Sequence, residues 1–364
     1  MINAKENMST INSAEIDYSK LLDRPLINVD KTHITSMLQG KKVLVTGACG
    51  SIGSEICTQV KTYNPKQLIL LDIDESGLHD STLRLLDYKK EWSDEVVPVL
   101  CDIKNQPKLN RLFAEFKPDI IFHAAAYKHV PMLERYPEEA ILNNVVGSYN
   151  VLRAATFACV KKVVVISTDK AVNPTNVMGA TKRVVELEAA MLNSPQTEMV
   201  SVRFGNVLGS RGSMLPLFRE EIQAGVPITV TDKKIIRYFM TIPEAVSLVF
   251  LAGCIGKGGE VMVLDMGKPV NIYNFAKRLI SLYGDKEKNK IVITGLRPGE
   301  KMYEELLANK DNTIPTENSY IFKAKVDGAL EKNAFFEQMH GIEAKSPYSL
   351  LCWLHEIVPE FKEN

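Results

Sequence analysis

An apolar run from Val163 leads into Thr168-Asp169-Lys170, which sets a hydroxyl, a carboxylate and an ammonium group side by side. Side chains of these types can move protons, although a lysine acts as a base only if its pKa falls well below the free value of about 10.4. Met178 follows, four residues before Lys182 and so one helical turn from it. A thioether exchanges no protons, so acid–base work in this segment falls to Asp169 and Lys170, and Met178 is left to pack against whatever binds there. The plainer reading of Asp169-Lys170 is a polar turn at a strand end. The carboxyl end of a strand is where open α/β sheets bind their ligands, and this favours chemistry.

The elements that must hold these residues repeat along the chain. KVLVTG from Lys42, QLILLD, VVPVLCD, DIIFHAAA, KVVVIST and EMVSVRFG are apolar runs separated by helical patterns, which start at Ser51, near Glu75, near Asn105, over Glu138 to Cys159 and over Val177 to Leu192. Six such runs predict a Rossmann-type doubly wound parallel sheet covered on both faces, an α/β class with a smaller substrate lobe. The boundaries read as an extension or linker over 1–37, a dinucleotide-binding domain over 38–205 and a mainly substrate-binding lobe over 206–364. About 240–267 returns to the main sheet.

Composition narrows the function classes. The chain has 364 residues, 45% of them hydrophobic, with 44 basic and 44 acidic side chains, which removes the basic signature of a nucleic-acid binder. Six cysteines lie scattered with no CxxC pair, so reduced thiols are expected and no metal site. No apolar run is long enough to span a bilayer and the N-terminus has no signal-peptide core, so the sequence reads as cytoplasmic.

Gly47, Gly50 and Gly53 form a GxxGxxG turn between strand and helix, and Asp72 closes the next strand 19 residues after Gly53. Such glycines allow a tight turn, backbone approach to a pyrophosphate and close helix–strand packing. Asp72 can accept from both ribose hydroxyls and would repel a 2′-phosphate, so NAD is expected rather than NADP. Asp102 and Ile103 are placed at the adenine. Ala124, Ala125 and Ala126 supply small side chains where the fourth strand passes the dinucleotide. Thr46, Ser51 and Ile52, in the same turn as the glycines, complete the expected cofactor set.

TGxxGxxG at 46–53, HAAA at 123–126, NNVVGSYN at 143–150 and the strand ending in STDK together resemble the extended short-chain dehydrogenase/reductase superfamily. ISTDKAVNPTNVMGATKR, VRFGNVLGSRGSMLPLF, ITVTDKKIIRYFMTIPEA and GLRPGEKMYEELL resemble its polysaccharide-biosynthesis branch of nucleotide-sugar dehydratases over about residues 20–325. Met178, where most of that branch carries Tyr, is similar to UDP-N-acetylglucosamine 4,6-dehydratases of the bacillosamine type, which serve bacterial protein glycosylation. The resemblance implies oxidation at sugar carbon 4, loss of water across carbons 5 and 6, and hydride return to carbon 6. It maps Asp169 and Lys170 onto the elimination pair and Lys182 onto the lysine at the nicotinamide ribose.

A carboxylate beside ammonium groups should be ionised and lacks the proton that departing water needs. Asp169 is therefore expected to accept the 4-hydroxyl proton and deliver it to the 6-hydroxyl, with Thr168 orienting the 4-oxygen. A UDP-sugar diphosphate calls for Arg, Lys and amide donors, for which Asn206, Arg211, Arg237, Arg297 and Lys301 are candidates. Lys128 and Glu134 lie where the family closes over the sugar, and His129 is as readily a packing residue. LLDRPLINVD at 21–30 resembles the junction that follows membrane-spanning helices in many members, so the chain can be the cytoplasmic catalytic part of a longer membrane protein. A homo-oligomer is the common expectation. Competing outcomes are a nucleotide-sugar epimerase, a 5-inverting dehydratase and a non-catalytic NAD-binding scaffold.

Overall fold

A computed structural model describes residues 16–88, 93–285, 287–296, 302–303, 313–326, 328 and 330–362. The first described elements are two short helices, α1 (Tyr18–Leu22) and α2 (Thr32–Leu38). Six β/α repeats follow: β1 (Lys42–Thr46), α3 (Ser51–Lys61), β2 (Gln67–Asp72), α4 (Glu75–Leu85), β3 (Val96–Leu100), α5 (Gln106–Phe116) and β4 (Ile120–His123). After β4 come α6 (Val130–Arg135) and α7 (Pro137–Ala140), the latter running through a π-helical turn, Ile141–Val146, into α8 (Gly147–Phe157). β5 (Lys162–Ile166), α9 (Val177–Leu192) and β6 (Glu198–Arg203) complete the repeats.

Pairing is parallel throughout these six strands, in the order β6-β5-β4-β1-β2-β3. Their residues alternate between two buried faces. Leu44, Ile69, Leu71, Ile121, Val163 and Val165 enter one core, and their neighbours Val43, Val45, Leu68, Leu70, Phe122 and Val164 enter the other. Burial on both faces is why the strands read as continuous apolar runs. Behind the sheet Phe250 is fully buried, its ring 5.0 Å from Phe122 and 6.2 Å from Tyr63.

Beyond β6, three small two-stranded sheets build the lobe: β7 (Asn206–Leu208) with β10 (Phe239–Thr241), β8 (Ile228–Val230) with β13 (Ile291–Ile293), and β9 (Ile236–Arg237) with β12 (Val270–Asn271). The lobe core packs these against α10 (Met214–Ala224) and α12 (Ile272–Tyr283). α11 (Ile242–Ile255) and β11 (Val261–Leu264) rejoin the main sheet, with β11 parallel to β6. β15 (Ile321–Ala324) and β14 (Thr313–Pro315) add two antiparallel edge strands. Finally α13 (Lys332–Met339) and α14 (Pro347–Ile357) cover the face of α8 and α9.

Residues 16–37, read as linker, are packed. Ile16, Leu21 and Leu22 enter the lobe core, whereas Ile34 and Leu38 enter the sheet core. Arg24 joins the two by meeting Glu244 at 2.7 Å, and the Ile27 amide reaches the same carboxylate at 2.6 Å. Helices of five and seven residues are too short to show an apolar period over a reading window of 11 or more residues.

Candidate active site

One cleft of about 1070 Å³ runs along the carboxyl ends of the parallel strands and under the lobe. At its cofactor end, Gly47 turns with φ +65° and a Cβ there would lie 2.6 Å from the Ala125 amide. A Cβ on Gly53 would lie 2.0 Å from Gly47 O, so helix α3 can start this close to β1 only with glycine. Gly50 sits at the α3 N-cap with no side-chain capping bond, which leaves that helix end open to an anion. Asp72 accepts the Cys49 amide on Oδ2 at 2.8 Å and the Ile73 and Asp74 amides on Oδ1 at 2.8 and 3.0 Å. This fixes the carboxylate beside the glycine turn.

Ser51, Ile52, Asp102, Ile103 and Ala124 to Ala126 also line the cleft. Thr46 is fully buried and does not reach it. Its hydroxyl instead bonds His123 Nδ1 at 2.7 Å, and His123 Nε2 bonds Ser148 at 2.8 Å. Burial, helped by the Lys182 charge, pushes the His123 pKa down to about 3, so this ring is a neutral strut between β1, β4 and α8. The sequence reading used only the alanines of this run. A histidine at a fully buried strand end is the signal it passed over.

At the reacting end, Ser167, Thr168, Lys170, Met178 and Lys182 line the cleft, but Asp169 does not. The three-residue 3-10 turn Asp169–Ala171 sends consecutive side chains in different directions. The Asp169 side chain is wholly buried. Its Oδ1 accepts Thr168 Oγ1 and Lys170 Nζ, each at 2.9 Å, and among the described residues Oδ2 has no hydrogen-bond partner. Direct contact between this carboxylate and a sugar hydroxyl is therefore corrected to contact through Thr168 or Lys170. Met178 is buried on α9 and packs in the core under the cleft. Lys182 donates from Nζ to Ile166 O at 2.9 Å. Burial lowers its pKa to about 8, opposed by the Glu186 charge.

Lys128, Asn206, Arg211 and Arg237 reach the same cleft. Lys128 Nζ donates to Arg211 O at 2.8 Å, and partial burial with the Arg211 charge lowers its pKa. The Arg211 guanidinium contacts the Cys49 carbonyl and its amide donates to Ser51 Oγ at 3.0 Å, so this arginine stands on the glycine turn rather than at the far end of a substrate site. Arg237 is buried and holds Ile236 O at 2.8 Å and Met302 O at 3.1 Å. Asn206 Nδ2 and Ser213 Oγ are buried donors without partners among the described residues, and both residues line the cleft. Ser213 was missed, although it stands at the N-cap of α10 and makes no capping bond. Glu134 is not in the wall. Its Oε1 accepts the Val177 amide at 2.7 Å and so caps α9. Arg297 and Lys301 lie outside the described residues.

The model of the family described as polysaccharide biosynthesis protein matches residues 43–326. The chain belongs to the polysaccharide biosynthesis protein family. Capsular polysaccharide biosynthesis protein CapD of Staphylococcus aureus is 49% identical over 322 residues, 87% of this chain and 53% of CapD. The chain spans about half the length of the CapD-type relatives it matches. A UDP-glucose 4-epimerase of Rickettsia canadensis is 35% identical over 80% of this chain and 85% of that protein. Among solved structures, Pen from Bacillus thuringiensis superposes with a TM-score of 0.72 at 34% identity, covering 81% of this chain and 90% of its own.

Within this polysaccharide biosynthesis protein, the glycine cradle, the open α3 N-terminus and the fixed Asp72 fit a dinucleotide. The hydroxyl, carboxylate and ammonium of 168–170 are joined by two hydrogen bonds. Protons can pass along such a chain without a phenol. Among the described residues no helix is long and apolar enough to cross a membrane.

Proposed function

We propose that the chain binds NAD and dehydrates UDP-N-acetylglucosamine to the UDP-2-acetamido-2,6-dideoxy-4-keto sugar. The observation that carries this reading is the hydrogen-bonded Thr168–Asp169–Lys170 chain, with Thr168, Lys170 and Met178 lining the cleft. Bound NAD supplies reversible removal and return of a hydride. Thr168, facing the cleft, takes the 4-hydroxyl proton and passes its own to Asp169 Oδ1. Lys170, which must first give up its ammonium proton for this role, then removes the proton from carbon 5, which the 4-ketone has acidified. The proton held on Asp169 returns through Thr168 to the departing 6-hydroxyl, which leaves as water. Lys170 reprotonates carbon 5, and both groups regain their starting states. Lys182 holds the cofactor ribose, and Asn206 with Arg237 faces the diphosphate.

A test uses substrate deuterated at carbon 4 and no added cofactor. Migration of the label to carbon 6, with a new methyl signal, is the expected result. Retention at carbon 4 with no keto product would refute the reading. A second reading, 4-epimerisation, draws on the identity with the Rickettsia epimerase. It would appear as inversion at carbon 4 without a methyl signal.

A further inference from the structure

The family match ends at residue 326, yet the chain continues through α13 and α14, and its last described residues return to the back of the reacting segment. Two contacts define that return. The Lys362 amide donates to Pro174 O at 3.0 Å, in the loop joining the 168–170 turn to α9. Arg183, next to Lys182 on α9, donates from Nε to Glu360 Oε1 at 3.0 Å. From Nη1 the same guanidinium reaches Glu186 Oε2 at 3.5 Å. Val358 and Phe361 are buried in the α8–α9 core and hold the tail in place.

Glu186 connects this tail to the reaction. Its wholly buried carboxylate accepts Ser167 Oγ at 2.6 Å, directly before Thr168, and takes Arg203 through Nε at 2.6 Å and Nη2 at 2.5 Å. Holding two guanidinium groups around one carboxylate in a dry place is costly. The Glu360 carboxylate offsets it. At 39% side-chain exposure it is also the one member of the cluster that can be changed without opening the core.

We propose that Glu360 is a positioning residue for Thr168–Lys170, acting through Arg183, Glu186 and Ser167, while the Lys362 amide clamps the following loop at Pro174. The 358–362 segment thereby becomes a buttress for the proton-transfer segment. Its kinetic consequence rests on the dehydratase reading. Its structural consequence does not.

The test compares wild type, Glu360→Ala and Glu360→Gln as the NAD-loaded 364-residue chain. Glu360→Ala is expected to lower kcat about fivefold, as loss of a half-exposed ion pair warrants, with KM within twofold. Amide exchange over 168–176 should quicken while exchange in α12 stays unchanged. Glu360→Gln, which can still accept from Arg183, should fall between the two, and it carries the test if the alanine variant fails to fold. Unchanged kcat with unchanged exchange in a folded variant overturns the proposal, as does a fall in kcat without faster exchange. Exchange is read without sugar. If the wild type converts no UDP-N-acetylglucosamine, that failure counts against the dehydratase reading alone and leaves the positioning role decided by exchange.

Discussion

Lys182→Met should make the protein more stable while abolishing turnover. Burial lowers the pKa of this lysine from 10.5 to about 8, which corresponds to roughly 3 kcal/mol of preference for the neutral form. Between these two values the unfolded chain binds more protons here than the folded protein does, so stability rises with pH across that window. Below pH 8 the full penalty applies. Methionine removes it, but leaves Ile166 O without the bond it accepts at 2.9 Å, a loss of about 1 kcal/mol. The net gain is about 2 kcal/mol at pH 7. By pH 9.5 the remaining penalty is only about 1.4 kcal/mol and the gain nearly vanishes. Urea unfolding of cofactor-free protein at the two pH values measures both figures. A variant less stable than wild type at pH 7, or one whose advantage persists unchanged at pH 9.5, would refute the argument.

Asp169→Asn should lower kcat by about 10² or more, because the relay loses its acceptor, with KM for the UDP-sugar within a few-fold; near-normal turnover in steady-state assays would count against the relay. Gly53→Ala places a carbon 2.0 Å from Gly47 O, so calorimetric NAD affinity should fall by about 100-fold or more as the turn is displaced, and affinity within threefold of wild type would disprove the cradle. Arg24→Ala leaves the buried Glu244 carboxylate without the guanidinium at 2.7 Å, which should cost about 3 kcal/mol in denaturant titration; a change under about 1 kcal/mol would show that the pair is not needed.

The parallel sheet was legible because six short apolar runs recur with helical patterns between them, and because the Gly47–Gly53 turn and Asp72 stand at a fixed spacing. Burial and direction within the site were not legible. Sequence places Asp169 beside Lys170 but does not say that a 3-10 turn hides the carboxylate behind its neighbours. The loop carrying Arg211 folds back over the glycine turn, and Glu134 turns to cap α9. Such orientations depend on tertiary packing rather than on local pattern. His123 was in view, but its bonds join residues 77 and 25 positions away, which no local period records.

The segment from Ile16 to Leu38 gives side chains to both the lobe core and the sheet core, with Arg24 between them. Two bodies stitched in this way should melt as a single cooperative unit. Severing the backbone between Arg24 and Lys31 should split one calorimetric transition into two.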